Sequence, residues 1–210
     1  MSKKFTIIEL LMIVAIIGVL TSILLPSLSE ARAKVKQSVC LSNSKQIFLA
    51  STSYIVEHNG YGPSDEREDD SRWTSKLLGT YIERKLGNQP SPTFNCPSGY
   101  DQIKADDTNI GMNIYITGKK QELINIRVRP LLKASPSETC MLIDTLRLHF
   151  SVRPAAMTNA KVIDDPNGGN NARHQLKANV TFLDGHATAK TASFLLSKTD
   201  REDTFWDVEQ

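Results

Sequence analysis

"KKFTIIELLMIVAIIGVL", residues 3–20, decides how the rest of the chain is read. Two lysines precede a long apolar run that carries one carboxylate, Glu9, near its start. From Leu10 to Leu25 only Gly18, Thr21 and Ser22 interrupt the apolar residues, and there is no charge. As a helix, Phe5 to Leu25 would span about 32 Å, the hydrocarbon thickness of a bilayer. The residues alone leave two readings. Ala31-Arg32-Ala33 has the small-x-small form of a secretory cleavage site. Against that, the run is long, the basic region before it is only four residues, and Pro26 and a charged stretch precede the site, which favours a retained anchor. Lysines and arginines flank both ends of the run, so charge does not set its orientation.

Over the whole chain 23% of residues are charged and the net charge is +2, so most of it reads as globular, with no electrostatic case for nucleic acid. "SLSEARAKVKQSVCLSNSKQIFLASTSYIVEHNG" has no proline and no glycine until Gly60. Leu28, Ala31, Val35 and Val39, then Ile47, Ala50 and Tyr54, recur at helical spacing, and Glu30 and Lys34 stand at i, i+4. One helix from about Phe5 to about Glu57 is expected, kinked at Pro26, where the amide donor is missing. A second, shorter helix is expected in "SRWTSKLLGTYIERKLG". Strands are expected in "NIGMNIYIT", "ETCMLIDT" and "RLHFSV". "ANVTFLDGHATAKT" reads as a hairpin turning at Asp184-Gly185, and the tail "DTFWDVEQ" as an aromatic plug. The expected fold is α+β, a long N-terminal helix packed on an antiparallel sheet. Its parts are a leader (1–4), a transmembrane half-helix (5–27), an amphipathic half-helix (28–58) and a β-rich head (59–210).

Three cysteines follow the run: Cys40, Cys96 and Cys140. In an exported domain one disulfide and one spare thiol is the simplest arithmetic. Cys140 lies in an apolar strand, so Cys40 with Cys96 is the preferred pair; three reduced thiols are the alternative. There is no C-x-x-C spacing, so a structural zinc site is not expected. Asp164, Asp165, Asn167 and Asn170 in "DDPNGGNN" offer hard oxygens for calcium, though not at EF-hand spacing; a plain loop is the simpler reading, and no cofactor is required. His174, Asp184 and His186 would be ligands or an acid–base set in a hydrolase, but Asp184-Gly185 is also what a tight turn needs. A structural role is favoured, and the protein is not read as an enzyme. His58 and His149 read as ordinary residues, Trp73 and Trp206 as packing anchors.

The stretch "KKFTIIELLMIVAIIGVLTSILLPSLSEAR" resembles the N-terminus of type IV prepilins and of type II secretion pseudopilins. "CLSNSKQI" (40–47), "FNCPS" (94–98), "NIGMN" (109–113), "SPSETCMLID" (135–144) and His174 nine residues before Asp184-Gly185 resemble segments of the prepilin-like group named for its H-X9-DG domain. The resemblance implies cleavage by a prepilin peptidase between Lys4 and Phe5, commonly with methylation of the Phe5 amine. Lys4 departs from the family's usual small residue at that position. It also implies a single-pass protein of the inner membrane, N-terminus cytoplasmic and head outside. Its partners would be the bilayer, other pilin-like subunits and an inner-membrane assembly platform. Major pseudopilins carry a calcium-bound loop. Glu9 would pair with a neighbouring subunit's Phe5 amine, since a charge at mid-membrane costs about 2.5–3.5 kcal/mol and wants a partner. The function implied is a subunit of a secretion or pilus-like filament. A non-polymerising tethered binding module and an exported metal hydrolase are the alternatives.

Overall fold

The computed structural model describes residues 6–63, 72–77, 79–83, 91–99, 108–113, 116–117, 135–145, 151–152, 172–198 and 204–206. Helix α1 runs from Ile7 to Glu57 and continues through Pro26. The expected end at Glu57 is the observed one. The chain forms two compact units, Met1–Val35 and Lys36–Gln210.

From Leu10 to Leu25 α1 is apolar all round and exposed all round: Leu10, Ile17 and Leu24 each leave more than half of their surface open. The few hydroxyls turn back onto the helix's own carbonyls. Thr21 Oγ1 donates to Ile17 O at 2.8 Å, Ser22 Oγ to Val19 O at 2.7 Å and Ser27 Oγ to Leu24 O at 2.9 Å. A helix whose polar groups are satisfied internally is what lipid requires, and this one is long and apolar enough to cross a membrane. Its first turn is closed by a reciprocal pair. Thr6 N–H and Oγ1 donate to Glu9 Oε2 at 2.9 and 2.8 Å, and Glu9 N–H donates to Thr6 Oγ1. This is a capping box, which satisfies amides the helix cannot. Glu30 and Lys34 pair at 2.8 Å, as their spacing predicts.

In the second unit the buried face of α1 comprises Cys40, Ser44, Ile47, Ala50 and Ser51. Ile47 and Ala50 of the expected stripe are buried and Tyr54 packs beside them, whereas Val35 and Val39 are exposed and the small residues Cys40 and Ser44 take the buried side there. Helix α2 is only Trp73–Leu77. The longer helix expected there stops before Gly79, a poor helix former. Trp73 is buried edge-on against Phe94, with ring centroids 5.5 Å apart. The sheet has strands β1 (Ile110–Asn113), β2 (Cys140–Asp144), β3 (Ser151–Val152), β4 (Lys177–Phe182) and β5 (Ala187–Thr191), in the order β3-β1-β2-β4-β5. Four strands pair antiparallel, and β3 adds parallel to β1 at the edge; the rest of "RLHFSV" lies outside the described residues.

Both faces of the sheet are covered. Ile110, Met112 and Leu142 pack with Ile47, Trp73 and Phe94. Ala178, Val180 and Phe182 pack on the other side with Leu195 of helix α3 (Ala192–Leu196) and with Phe205 and Trp206. The aromatic plug is therefore real: Phe205 O accepts from Cys140 N–H, and Trp206 Nε1 donates to Lys198 O at 2.7 Å. Burying Phe205 contributes about 1.5–3 kcal/mol. A register shift between Cys140 and Leu142 puts Cys140 on the α3 side, while Leu142 lies on the α1 side. Asp144, two residues beyond Leu142, keeps its parity and meets Cys40 of α1.

The β4–β5 hairpin turns at Asp184-Gly185 as the sequence predicts. Gly185 has φ +86, and a Cβ there would lie 2.7 Å from the Phe48 ring on α1. Gly185→Ala should lower the stability of the full chain by ~2 kcal/mol or more, because it adds left-handed strain to a clash. Chemical unfolding in detergent measures it; a wild-type midpoint would show that the turn moves away at no cost.

Candidate functional site: a buried Cys–Cys–Asp–His cluster

Four segments distant in sequence each bring one ligand-type side chain to a single buried point. α1 supplies Cys40, the loop after the 3₁₀ turn Pro92–Phe94 supplies Cys96, the end of β2 supplies Asp144, and the turn before β4 supplies His174. Their ligand atoms lie within 4.8 Å of one another, and all four residues are buried. Cys40 Sγ donates to Asp144 Oδ1 at 3.1 Å. Cys96 Sγ lies 3.1 Å from His174 Nε2, which is 3.5 Å from Asp144 Oδ2.

Each ligand is held by a local device. Asn43, one turn along α1 from Cys40, donates from Nδ2 to Pro92 O and Asn95 O, both at 2.9 Å, and so fixes the loop that carries Cys96. Cys96 N–H is taken by Asn109 Oδ1. Gly99 lets this loop close on the His174 turn: a Cβ there would sit 1.9 Å from Asn109 Nδ2 and 2.7 Å from Arg173 Nη1. Asp144 Oδ2 accepts Asn179 N–H at 2.7 Å, and Asn179 Oδ1 is reached by Gln37 Nε2 of α1. His174 is bracketed by paired backbone bonds with Lys177, across a tight turn in which Gln175 and Leu176 have φ +54 and +60. Two consecutive non-glycine residues in the left-handed region are costly, and such strain collects at functional sites.

The two sulfurs are strongly coupled. The neighbouring Cys40 thiol pulls the Cys96 thiol well down, helped by His174 and Arg173 against burial. The same neighbour interaction, with burial and the charge of Asp144, pushes Cys40 up. Burial, then the negative charge on Cys96, pushes the Asp144 carboxyl up to about 6, against Arg173 and His174. Cys140 stands apart, raised by burial alone.

Several sequence expectations change here. Cys40 and Cys96 do meet, but as free thiols rather than as the expected disulfide. The His174 ring faces Cys96 and Asp144. His174, Asp184 and His186 do not form one set. Strand β4 separates the first from the other two by about 17 Å at ~3.3 Å per residue. Asp184 Oδ1 instead accepts from its neighbour His186 at the exposed turn, where the His186 ring stacks on Phe182 at 4.3 Å. Lys4 and Phe5, and Asp164, Asp165, Asn167 and Asn170, lie outside the described residues. Asp144 had no signal of its own in a strand read as apolar.

Among known proteins, the chain is 31% identical over 166 residues to a fimbrial protein of Neisseria meningitidis serogroup B, covering 78% of this chain and 89% of that one. It is 38% identical over 120 residues to the type IV major pilin protein PilA of Myxococcus xanthus, covering 53% of each chain. It is 32% identical over 85 residues to the type IV major pilin protein PilE of Neisseria gonorrhoeae, spanning 49% of that protein. No family profile matches the chain, and no solved structure does. With its long apolar helix on an α+β head, the chain belongs to the type IV pilin-like family. These relatives are structural subunits rather than enzymes, and the apolar helix together with this kinship supports anchoring in a membrane.

The left-handed turn predicts that Leu176→Gly stabilises the full chain by ~1 kcal/mol, since Leu176 is 60% exposed and little packing is lost. Thermal unfolding in detergent checks this; a loss of stability would mean that the turn carries no strain.

Proposed function

We propose that this protein is a filament subunit that assembles by packing of its N-terminal helix, in a pilus or in a type II secretion pseudopilus. The observation that carries the reading is the exposed apolar length of α1 with one carboxylate in its first turn. An oily surface of that extent needs either lipid or copies of itself, and the named relatives are pilins. In this reading a prepilin peptidase cuts between Lys4 and Phe5 on the cytoplasmic side of the inner membrane. The Phe5 amine is methylated but stays cationic, and the head lies outside. An assembly platform in the same membrane then draws subunits from the bilayer into the filament.

Glu9 has two tasks in this scheme. Within its own chain it caps the first turn, and both bonds from Thr6 go to Oε2. In the filament, Oε1 is the atom for a neighbour's Phe5 amine. In low dielectric such a pair rewards correct register, because a misplaced subunit leaves a buried charge unmatched.

Two variants separate the tasks. Glu9→Leu is expected to insert normally and to be missing from sheared filaments, while Thr6→Ala, which removes only the side-chain half of the cap, is expected to enter them. If Glu9→Leu enters filaments at the wild-type level, the intersubunit pairing is wrong. If Thr6→Ala reproduces the Glu9→Leu defect, capping alone explains the carboxylate.

A further inference from the structure

We propose that Cys40, Cys96, Asp144 and His174 form a closed tetrahedral site for a zinc-like divalent ion, which fastens α1 to the sheet of the head. The donor set is two sulfurs, one imidazole nitrogen and one carboxylate oxygen. Soft thiolates with imidazole select zinc over calcium or magnesium, which want oxygen. Zinc bonds of about 2.3 Å to sulfur and about 2.0 Å to nitrogen or oxygen place neighbouring ligands of a tetrahedron roughly 3.3–3.8 Å apart. Cys40 Sγ–Asp144 Oδ1 and Cys96 Sγ–His174 Nε2 are each 3.1 Å, His174 Nε2 lies 3.5 Å from the other carboxylate oxygen, Asp144 Oδ2, and one ligand atom from each residue lies within 4.8 Å of the other three. Binding lengthens the 3.1 Å contacts and draws any wider pair in toward one centre.

Burial decides what kind of site it is. All four ligands are enclosed, Cys40 completely, so the set has no side left for water or substrate. Four protein ligands with no open position describe a structural ion, not a catalytic one. Binding exchanges the two thiol protons for the metal. Two thiolates and one carboxylate against a divalent ion leave one negative charge, beside which Arg173 stands. The surrounding bonds already aim the ligands: Asn179 N–H on the carboxylate, and the strained turn behind His174. A Cys40–Cys96 disulfide would use two of the four groups and leave a buried aspartate and histidine facing sulfurs that can no longer donate or ionise. An ion uses all four.

The site also accounts for the sequence segments singled out earlier. "CLSNSKQI" supplies Cys40, "FNCPS" supplies Cys96, "NIGMN" supplies Asn109 behind Cys96, "CMLID" supplies Asp144, and the H-X9-DG segment supplies His174.

Metal analysis of the full chain, purified in detergent and dialysed against metal-free buffer, tests this directly. The expected result is about one zinc per chain, falling at least tenfold in Cys96→Ser and in Asp144→Ala. Asp184→Ala, at the far end of β4, should keep its metal. Cobalt(II) in place of zinc should give the visible bands of a tetrahedral ion and near-ultraviolet sulfur-to-metal charge transfer. A chelator should lower the unfolding midpoint, and zinc should restore it. Peptide mapping that finds Cys40 joined to Cys96 in metal-free native protein would overturn the proposal. So would wild-type chain that takes up neither zinc nor cobalt, or metal retained equally by Cys96→Ser and Asp144→Ala.

Discussion

The contact between Cys40 of α1 and Asp144 at the end of β2 governs the architecture of the head. A carboxylate with no exposed side-chain surface is tolerated only where its lone pairs are taken. Here they are taken by Cys40 and by the Asn179 amide, with His174 beside them. Those partners come from a helix, a strand and a turn, so the cluster cannot be satisfied unless all three pack together. Apolar burial supplies most of the free energy on either face of the sheet, but it is indifferent to register. The polar cluster is not, and it sets where along α1 the sheet must sit.

This constraint explains the composition of the buried face of α1. Ser44, Ala50 and Ser51 are small, which allows close approach, while Ser51 Oγ turns back to Ile47 O at 2.8 Å and leaves no unpaired hydroxyl. The apolar residues that look like a core stripe, Leu28, Val35 and Val39, remain outside it. In the pilin-like scheme they are surface for lipid or for neighbouring helices. One helix thus carries two kinds of face, recognised by different partners: small residues for its own head, large apolar ones for what lies around it.

Much of the fold was legible because it is written in local patterns. The length and end of α1 follow from an unbroken helical run closed by Asn59 and Gly60, the hairpin from alternation around Asp184-Gly185, and the plug from Phe205 and Trp206. The stripe was legible at Ile47, Ala50 and Tyr54 but not before them, because serine and cysteine do not register as core in a hydropathy pattern even where packing selects them for size. The cluster was hidden for a related reason. Its members are separated by 56, 48 and 30 positions along the chain, so no spacing rule for metal ligands applies, and only the strand register brings Asp144 to Cys40. The T-x-x-E form of Thr6 and Glu9 is legible as a helix start, and the two side chains close the first turn as that form implies.

The most direct measure of whether the cluster clasps helix to sheet is hydrogen exchange on the full chain in detergent, followed across residues 40–51 of α1 and 140–144 of β2. The account predicts that both segments exchange slowly and with one common opening free energy, and that Asp144→Ala speeds them together. Exchange in residues 40–51 that runs orders of magnitude faster than in β2, or that ignores Asp144→Ala, would show that the helix opens independently of the sheet and would contradict it.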